Sequence, residues 1–349
     1  MKHNIDNSRI VGISSCLPAD IIKIDENFSG VSELEVGKIK SITGIESVRY
    51  VDKNTTASDL SLIAARNLLN QLKVESSEID AVIFVSQSRD YIAPTTSSIL
   101  QDRLNLSKDV LAIDLPNGCS GYIHGLFLSK MLVSTGAASN VLLLCGETNS
   151  QLINRRDRSM TMIFGDAGTA TLIAGHPGCR SYFNIKTDGS GYNKIIIPHG
   201  GSRFPSTSES FSATERENGN FRSDANLFMD GMSVFNFAIT EVPKIISESL
   251  VDTGNDCEGI DLFALHQANQ LIIRQISKKL KIDNAKMPFI ASTVGNTGPA
   301  SIPLLLSMGF ADDTSRLHKV LMCGFGVGLN WGVSICDLSK TQIYSPVSA

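Results

Sequence analysis

Short runs of β-branched and aliphatic residues alternate along this chain with stretches in which apolar positions recur every three or four residues. The first pattern predicts strands buried on both faces, and the second predicts core-facing helices. In the first half it predicts strands over 9–14, 81–86, 110–115, 141–146 and 167–174, and helices over 57–72, 97–104 and 119–135. The second half repeats the order with helix 232–250, strand 262–265, helix 270–280, a short strand at 288–292, helix 299–307 and closing strands 319–323 and 331–336. Strands that alternate with helices imply an α/β layered fold. The repeated order, which no residue-level repeat accompanies, divides the chain at the Gly-His-Pro-Gly turn 175–178 into halves 1–174 and 175–349. The segment 199–226 breaks the pattern: it is rich in Ser, Gly, Asn and Glu and reads as a surface loop, either a solvated insertion or a lid.

Composition narrows the function classes. With 349 residues, 42% hydrophobic and 19% charged, the chain is long enough to bury a large core and too apolar to be disordered. A net charge of −4 and no run of Lys or Arg argue against nucleic acid as a partner. No apolar run approaches the ~20 residues of a membrane span, and residues 1–8 lack the basic-then-apolar order of a signal peptide, so a cytoplasmic location is expected. Seven scattered cysteines without a CxxC pair predict neither a disulfide framework nor a metal site.

Three polar motifs each fall where a predicted strand ends and a helix begins, the place where α/β sheets gather ligands and catalytic groups. In Asp-Leu-Pro-Asn-Gly-Cys119-Ser-Gly-Tyr a thiol stands at the start of a helix, where unpaired N–H groups and the macrodipole favour a thiolate. In Leu-Phe-Ala-Leu-His266-Gln-Ala-Asn269 an apolar strand delivers an imidazole to its exit, which suits a general base or a hydrogen-bond donor. In Gly295-Asn296-Thr-Gly298 glycines flank an amide that is either a turn residue or a donor to negative charge. His124 lies five residues past Cys119, about 140° around the helix, and so faces away from it. The closing turn Cys323-Gly-Phe325-Gly-Val327-Gly328 precedes no helix; it is a weak phosphate cradle, and the Val327 N–H is better suited as an oxyanion donor beside the Cys119 N–H.

Together with Asp157-Arg158, Ile163-Phe-Gly-Asp166 and Met229-Asp-Gly-Met-Ser-Val-Phe, these motifs resemble in order and spacing the β-ketoacyl-acyl-carrier-protein synthase III family of the thiolase-fold superfamily, from Ile10 to Asp337. The resemblance implies a five-layer αβαβα sandwich of two pseudo-symmetric halves and a homodimer whose loop around Ala93 and Pro94 completes the partner's acyl tunnel. It implies a ping-pong acyltransferase without a cofactor, acting on acyl-carrier-protein or acyl-CoA thioesters. Cys119 would take the acyl group, a malonyl thioester would lose carbon dioxide, and His266 and Asn296 would stabilise the enolate. Phe325 would shield the sulfur, and Arg158 and Asn269 would contact the pantetheine, CoA or carrier.

Departures from the family pattern point to substrate. Acyl-CoA users commonly carry a Trp near Lys38 and an Arg before the Thr-Gly-Ile equivalent to Thr43-Gly44-Ile45; this chain has Ser41 and Ile42, its single Trp is Trp331, and Leu271 replaces a frequent basic residue. Carrier-bound donors are therefore expected. Ala93 stands where short-chain enzymes place Phe, which implies a roomier tunnel for a longer, branched or functionalised primer. The competing expectations are a non-decarboxylating acyltransferase that moves the acyl group to oxygen or nitrogen, and a non-catalytic subunit of a dimer. A hydroxymethylglutaryl-CoA synthase is disfavoured because 86–88, Ser-Gln-Ser, lacks the expected acid.

Overall fold

The computed structural model describes residues 1–25 and 32–349. Two long antiparallel strands, Lys2–Leu17 and Asp166–Thr187, form its spine, and each serves two sheets. Residues 8–16 pair with 168–175, and that ladder continues through Asn140–Thr148 and Ala81–Val85 to the edge strand Leu111–Leu115. The opposite ends of the spine, 2–6 and 180–184, open a second sheet that continues through Asn330–Cys336 and Val320–Gly326 to Leu262–Leu265.

Alternation along each strand decides what packs where, because successive side chains leave a sheet on opposite faces. Val82 and Phe84 point outward into the cluster built on the helix Ala57–Leu72. Ile83 and Val85 point inward, onto Tyr122, Ile123 and Leu126 of the helix Gly121–Ser134 and onto the cluster that holds Ile302, Leu305 and Leu306 of the helix Ser301–Gly309. On the second sheet Val320 and Met322 face this same central layer. Leu321, Cys323 and Phe325 face outward onto the helices Gly231–Asp252 and Gln270–Leu280. The order is thus helix, sheet, helix, sheet, helix, the five-layer sandwich that the sequence resemblance implies. Each fully buried aliphatic side chain in these layers contributes about 2 kcal/mol.

Several elements differ from the sequence expectations. The spine strands extend well beyond 9–14 and 167–174, because ladder pairing with each other carries them past their apolar cores. Residues 175–178, the expected boundary, lie within the strand Asp166–Thr187, where 176–179 loop out opposite Asn7 and pairing resumes at Asp6↔Arg180. The expected strand at 288–292 does not form. Its backbone is claimed instead by the Gln267 side chain, which accepts from the Ile290 N–H and donates to the Pro288 carbonyl, and by Glu46 and Ser47, which donate to Ser292. The segment 199–226 holds short 3-10 turns and a small pair of strands, Thr214–Glu215 with Phe221–Arg222, and most of it is exposed.

Candidate active site

Cys119 lies in the turn between the strand Leu111–Leu115 and the helix Gly121–Ser134, a turn closed by the Gly121 N–H on the Gly118 carbonyl at 2.7 Å. The helix begins two residues later than the sequence pattern suggests: Ser120 is its N-cap, and Cys119 precedes it. The His124 imidazole is paired with the Ser120 carbonyl at 3.0 Å, so it is a local structural contact.

His266 follows the strand Leu262–Leu265 and extends the parallel ladder by donating its N–H to the Cys323 carbonyl at 2.8 Å. Its ring is 1% exposed, its Nδ1 lies 2.7 Å from the Ser301 hydroxyl, and Phe325 meets it edge-on with centroids 5.3 Å apart. When Ser301 donates to Nδ1, the ring proton resides on Nε2.

Asn296 is held from both sides. Its N–H donates to the Ile163 carbonyl at 2.8 Å, its carbonyl accepts from Gly165 at 3.0 Å, and its Oδ1 accepts from the Gly298 N–H at 3.0 Å. With Oδ1 engaged, the Nδ2 donors are turned the other way. The segment 163–165, a family signature in the sequence, is thus the cradle of Asn296, and a Cβ at Gly165 would collide with the Val294 carbonyl.

Cys119, His266, Asn296, Phe325 and Val327 line one cavity of about 930 Å³ including its open mouth. Gly326 lets the closing strand pass against Cys119, since a Cβ there would fall 2.6 Å from that of Cys119. Asn269 lines the cavity too, but its side chain also caps the helix Gln270–Leu280 by accepting from Ile272 at 2.9 Å. Ala93, Pro94 and Arg158 do not line it. Ala93 and Pro94 lie on a loop with exposed Tyr91 and Ile92, and Arg158 pairs with Glu35 at 3.2 Å. Among the described residues no cluster of His, Cys, Asp and Glu is arranged to hold a metal, and no helix is long and apolar enough to cross a membrane.

The electrostatics correct one expectation. Burial pushes the Cys119 thiol up to about 12, and the charge of Glu147 adds to the rise, against the expected preference for the thiolate. Two contributions oppose this, from the backbone N–H groups of Cys119 and Val327 near the sulfur. Burial likewise lowers His266 to about 3, against a backbone hydrogen bond with Gly298, so the imidazole is neutral.

Glu147 is a buried residue of this cavity that the sequence motifs do not single out. It closes the strand Asn140–Thr148, is 2% exposed, and lines the same cavity. Ser86, Gln87 and Ser88 supply it with backbone and hydroxyl donors, yet burial outweighs them and raises its carboxyl to about 7. An acid at the carboxyl end of an apolar parallel strand was the available signal.

Two family models match the chain: 3-oxoacyl-[acyl-carrier-protein] synthase III over residues 113–189 and the C-terminal part of that family over 250–338. A Campylobacter jejuni protein provisionally named 3-oxoacyl-[acyl-carrier-protein] synthase 3 is 34% identical, over 97% of this chain and 96% of its own. A β-ketoacyl-[acyl-carrier-protein] synthase III of Caldanaerobacter subterraneus is 31% identical over 95% of this chain and 98% of its own. The crystal structure of a 3-oxoacyl-(acyl-carrier protein) synthase from Burkholderia xenovorans superposes with a TM-score of 0.93 at 35% identity, covering 100% of this chain and 99% of that one. With the layered fold and the cavity that gathers its motifs, these likenesses make the chain a member of the 3-oxoacyl-[acyl-carrier-protein] synthase III family of acyltransferases.

Proposed function

We propose that the chain performs a decarboxylative Claisen condensation in which Cys119 carries the acyl group, His266 and Asn296 stabilise the enolate, and Phe325 screens the sulfur. The observation that supports this reading is the single cavity shared by the thiol, the neutral imidazole and the oriented carboxamide. Cys119 attacks the primer thioester, and its proton ends on the departing pantetheine thiol, so no net proton is lost. The oxyanion formed on the way is met by the N–H groups of Cys119 and Val327.

Decarboxylation of the malonyl thioester needs no base, since the breaking C–C bond supplies the electron pair of the enolate. It needs donors at the thioester oxygen. His266 fits as an uncharged Nε2–H donor, with Nδ1 fixed by Ser301, and Asn296 Nδ2 fits as the second. The enolate carbon then attacks the acyl carbonyl, and collapse of the adduct releases Cys119 and a 3-oxoacyl thioester.

A carrier-bound primer is favoured over free acyl-CoA, because Glu35 places a carboxylate on the one cation retained from the nucleotide-binding set, Arg158. Exposed Tyr91 and Ile92 and the half-exposed edge strand Leu111–Leu115 favour a homodimer in which the loop of Ala93 and Pro94 serves the partner's tunnel. Free cysteines throughout suit the reducing cytoplasm.

The test combines intact-mass detection of acyl-Cys119 with release of carbon dioxide from malonyl carrier protein. A Cys119 adduct followed by carbon dioxide release and a 3-oxoacyl product is expected, and Cys119→Ala abolishes the adduct. An adduct whose acyl group passes to an alcohol or amine without carbon dioxide would replace this reading with the non-decarboxylating transferase.

A further inference from the structure

A second cavity, of about 1000 Å³ including its mouth, adjoins that of Cys119 and shares Gln87, Asn149, Ile195, Leu227 and Val327 with it. The shared wall is largely apolar, as an acyl chain requires. Beyond it, among the described residues, the lining carries one charged side chain, the exposed Arg89. Among the described residues Arg89 has neither an ion pair nor a hydrogen bond. The carboxylate next in sequence, Asp90, is engaged elsewhere, accepting from the Ser58 hydroxyl at 2.8 Å.

The geometry points to Arg89 as a specificity-determining residue that receives the distal carboxylate of a dicarboxylic acyl primer attached through its other end to Cys119. This deepens the proposed condensation and rests on it. The chain would pass Val327, Ile195 and Leu227, whose apolar surfaces gain by covering its methylenes. Its far end would meet a planar guanidinium able to bind both carboxylate oxygens. A plain alkyl primer would instead end against an unpaired cation and gain nothing from it.

Matched primers test this. Succinyl-, glutaryl- and adipyl-pantetheine are compared with butyryl-, valeryl- and hexanoyl-pantetheine, and the rate of Cys119 acylation is followed by intact mass. At least one dicarboxylic primer is expected to exceed its alkyl counterpart about 2- to 5-fold, the modest worth of an ion pair to an exposed cation. Arg89→Ala removes that advantage and leaves the alkyl rates unchanged, while Arg89→Lys restores part of it. Alkyl primers that acylate Cys119 as fast as their dicarboxylic partners, or an Arg89→Ala variant that slows both series equally, overturn the assignment of Arg89 and leave the condensation reading intact. Absence of a Cys119 adduct with every primer overturns the condensation reading itself, and this inference with it.

Discussion

Glu147 and His266 close strands of different sheets and line the same cavity, yet burial moves them in opposite directions. The acid rises to about 7 and the base falls to about 3, because a dry cavity disfavours charge of either sign. Their support differs as well. Glu147 accepts from donors in 86–88, whereas His266 has one hydroxyl at Nδ1 and an aromatic edge beside it. The contrast shows how the site meets negative charge. Among the described residues no Lys or Arg lines the Cys119 cavity, so the proposed condensation relies on fixed N–H dipoles rather than on an ion pair to meet an oxyanion or enolate.

The largest effect that would break this picture comes from removing a dipole. His266→Ala should lower condensation about 100- to 1,000-fold while sparing acylation of Cys119, since the donor acts on the enolate. Equal loss in both half-reactions, measured by intact mass and carbon dioxide release, would mean that His266 acts on the thiol instead. Asn296→Ala should follow the same pattern, and Asn296→Asp should be worse still because it places a carboxylate where negative charge develops.

Glu147 provides a pH signature. Its carboxyl is raised from an ordinary 4.5 to about 7, so its ionisation opposes folding: the penalty is absent below about pH 4.5 and complete above about pH 7. Its full size is on the order of 3 kcal/mol. Denaturation midpoints should therefore shift in favour of Glu147→Gln, relative to the unsubstituted protein, as the pH rises from 5 to 8. A pH-independent difference would show that the carboxyl is ordinary. His266 works in the opposite window: buried and neutral, it costs stability as the pH falls below about 6.5, and His266→Gln should lessen acid sensitivity there.

The smallest effect belongs to the mouth. Glu35→Ala should remove the carboxylate from Arg158 and improve the KM for acyl-CoA primers by a few-fold, in line with the modest worth of a partly exposed ion pair. An unchanged ratio of CoA to carrier-bound turnover would separate that pair from donor choice.

The chain by itself determined the layered α/β class, most helices and strands, and the three motifs, because each is a local pattern of apolar period, turn residues and a polar group at a strand end. Val82 and Ile83 show why the layering was legible: both faces of a buried strand must be apolar, whichever helix each meets. Only the tertiary structure decided that 288–292 is pinned by Gln267 rather than built into a ladder, that 163–165 cradles Asn296, and that Glu147 joins Cys119. It also decided that burial raises the Cys119 thiol, against the pull of the neighbouring N–H groups. Desolvation depends on what other parts of the chain surround the sulfur, and partners distant in sequence leave no periodic trace beside Cys119.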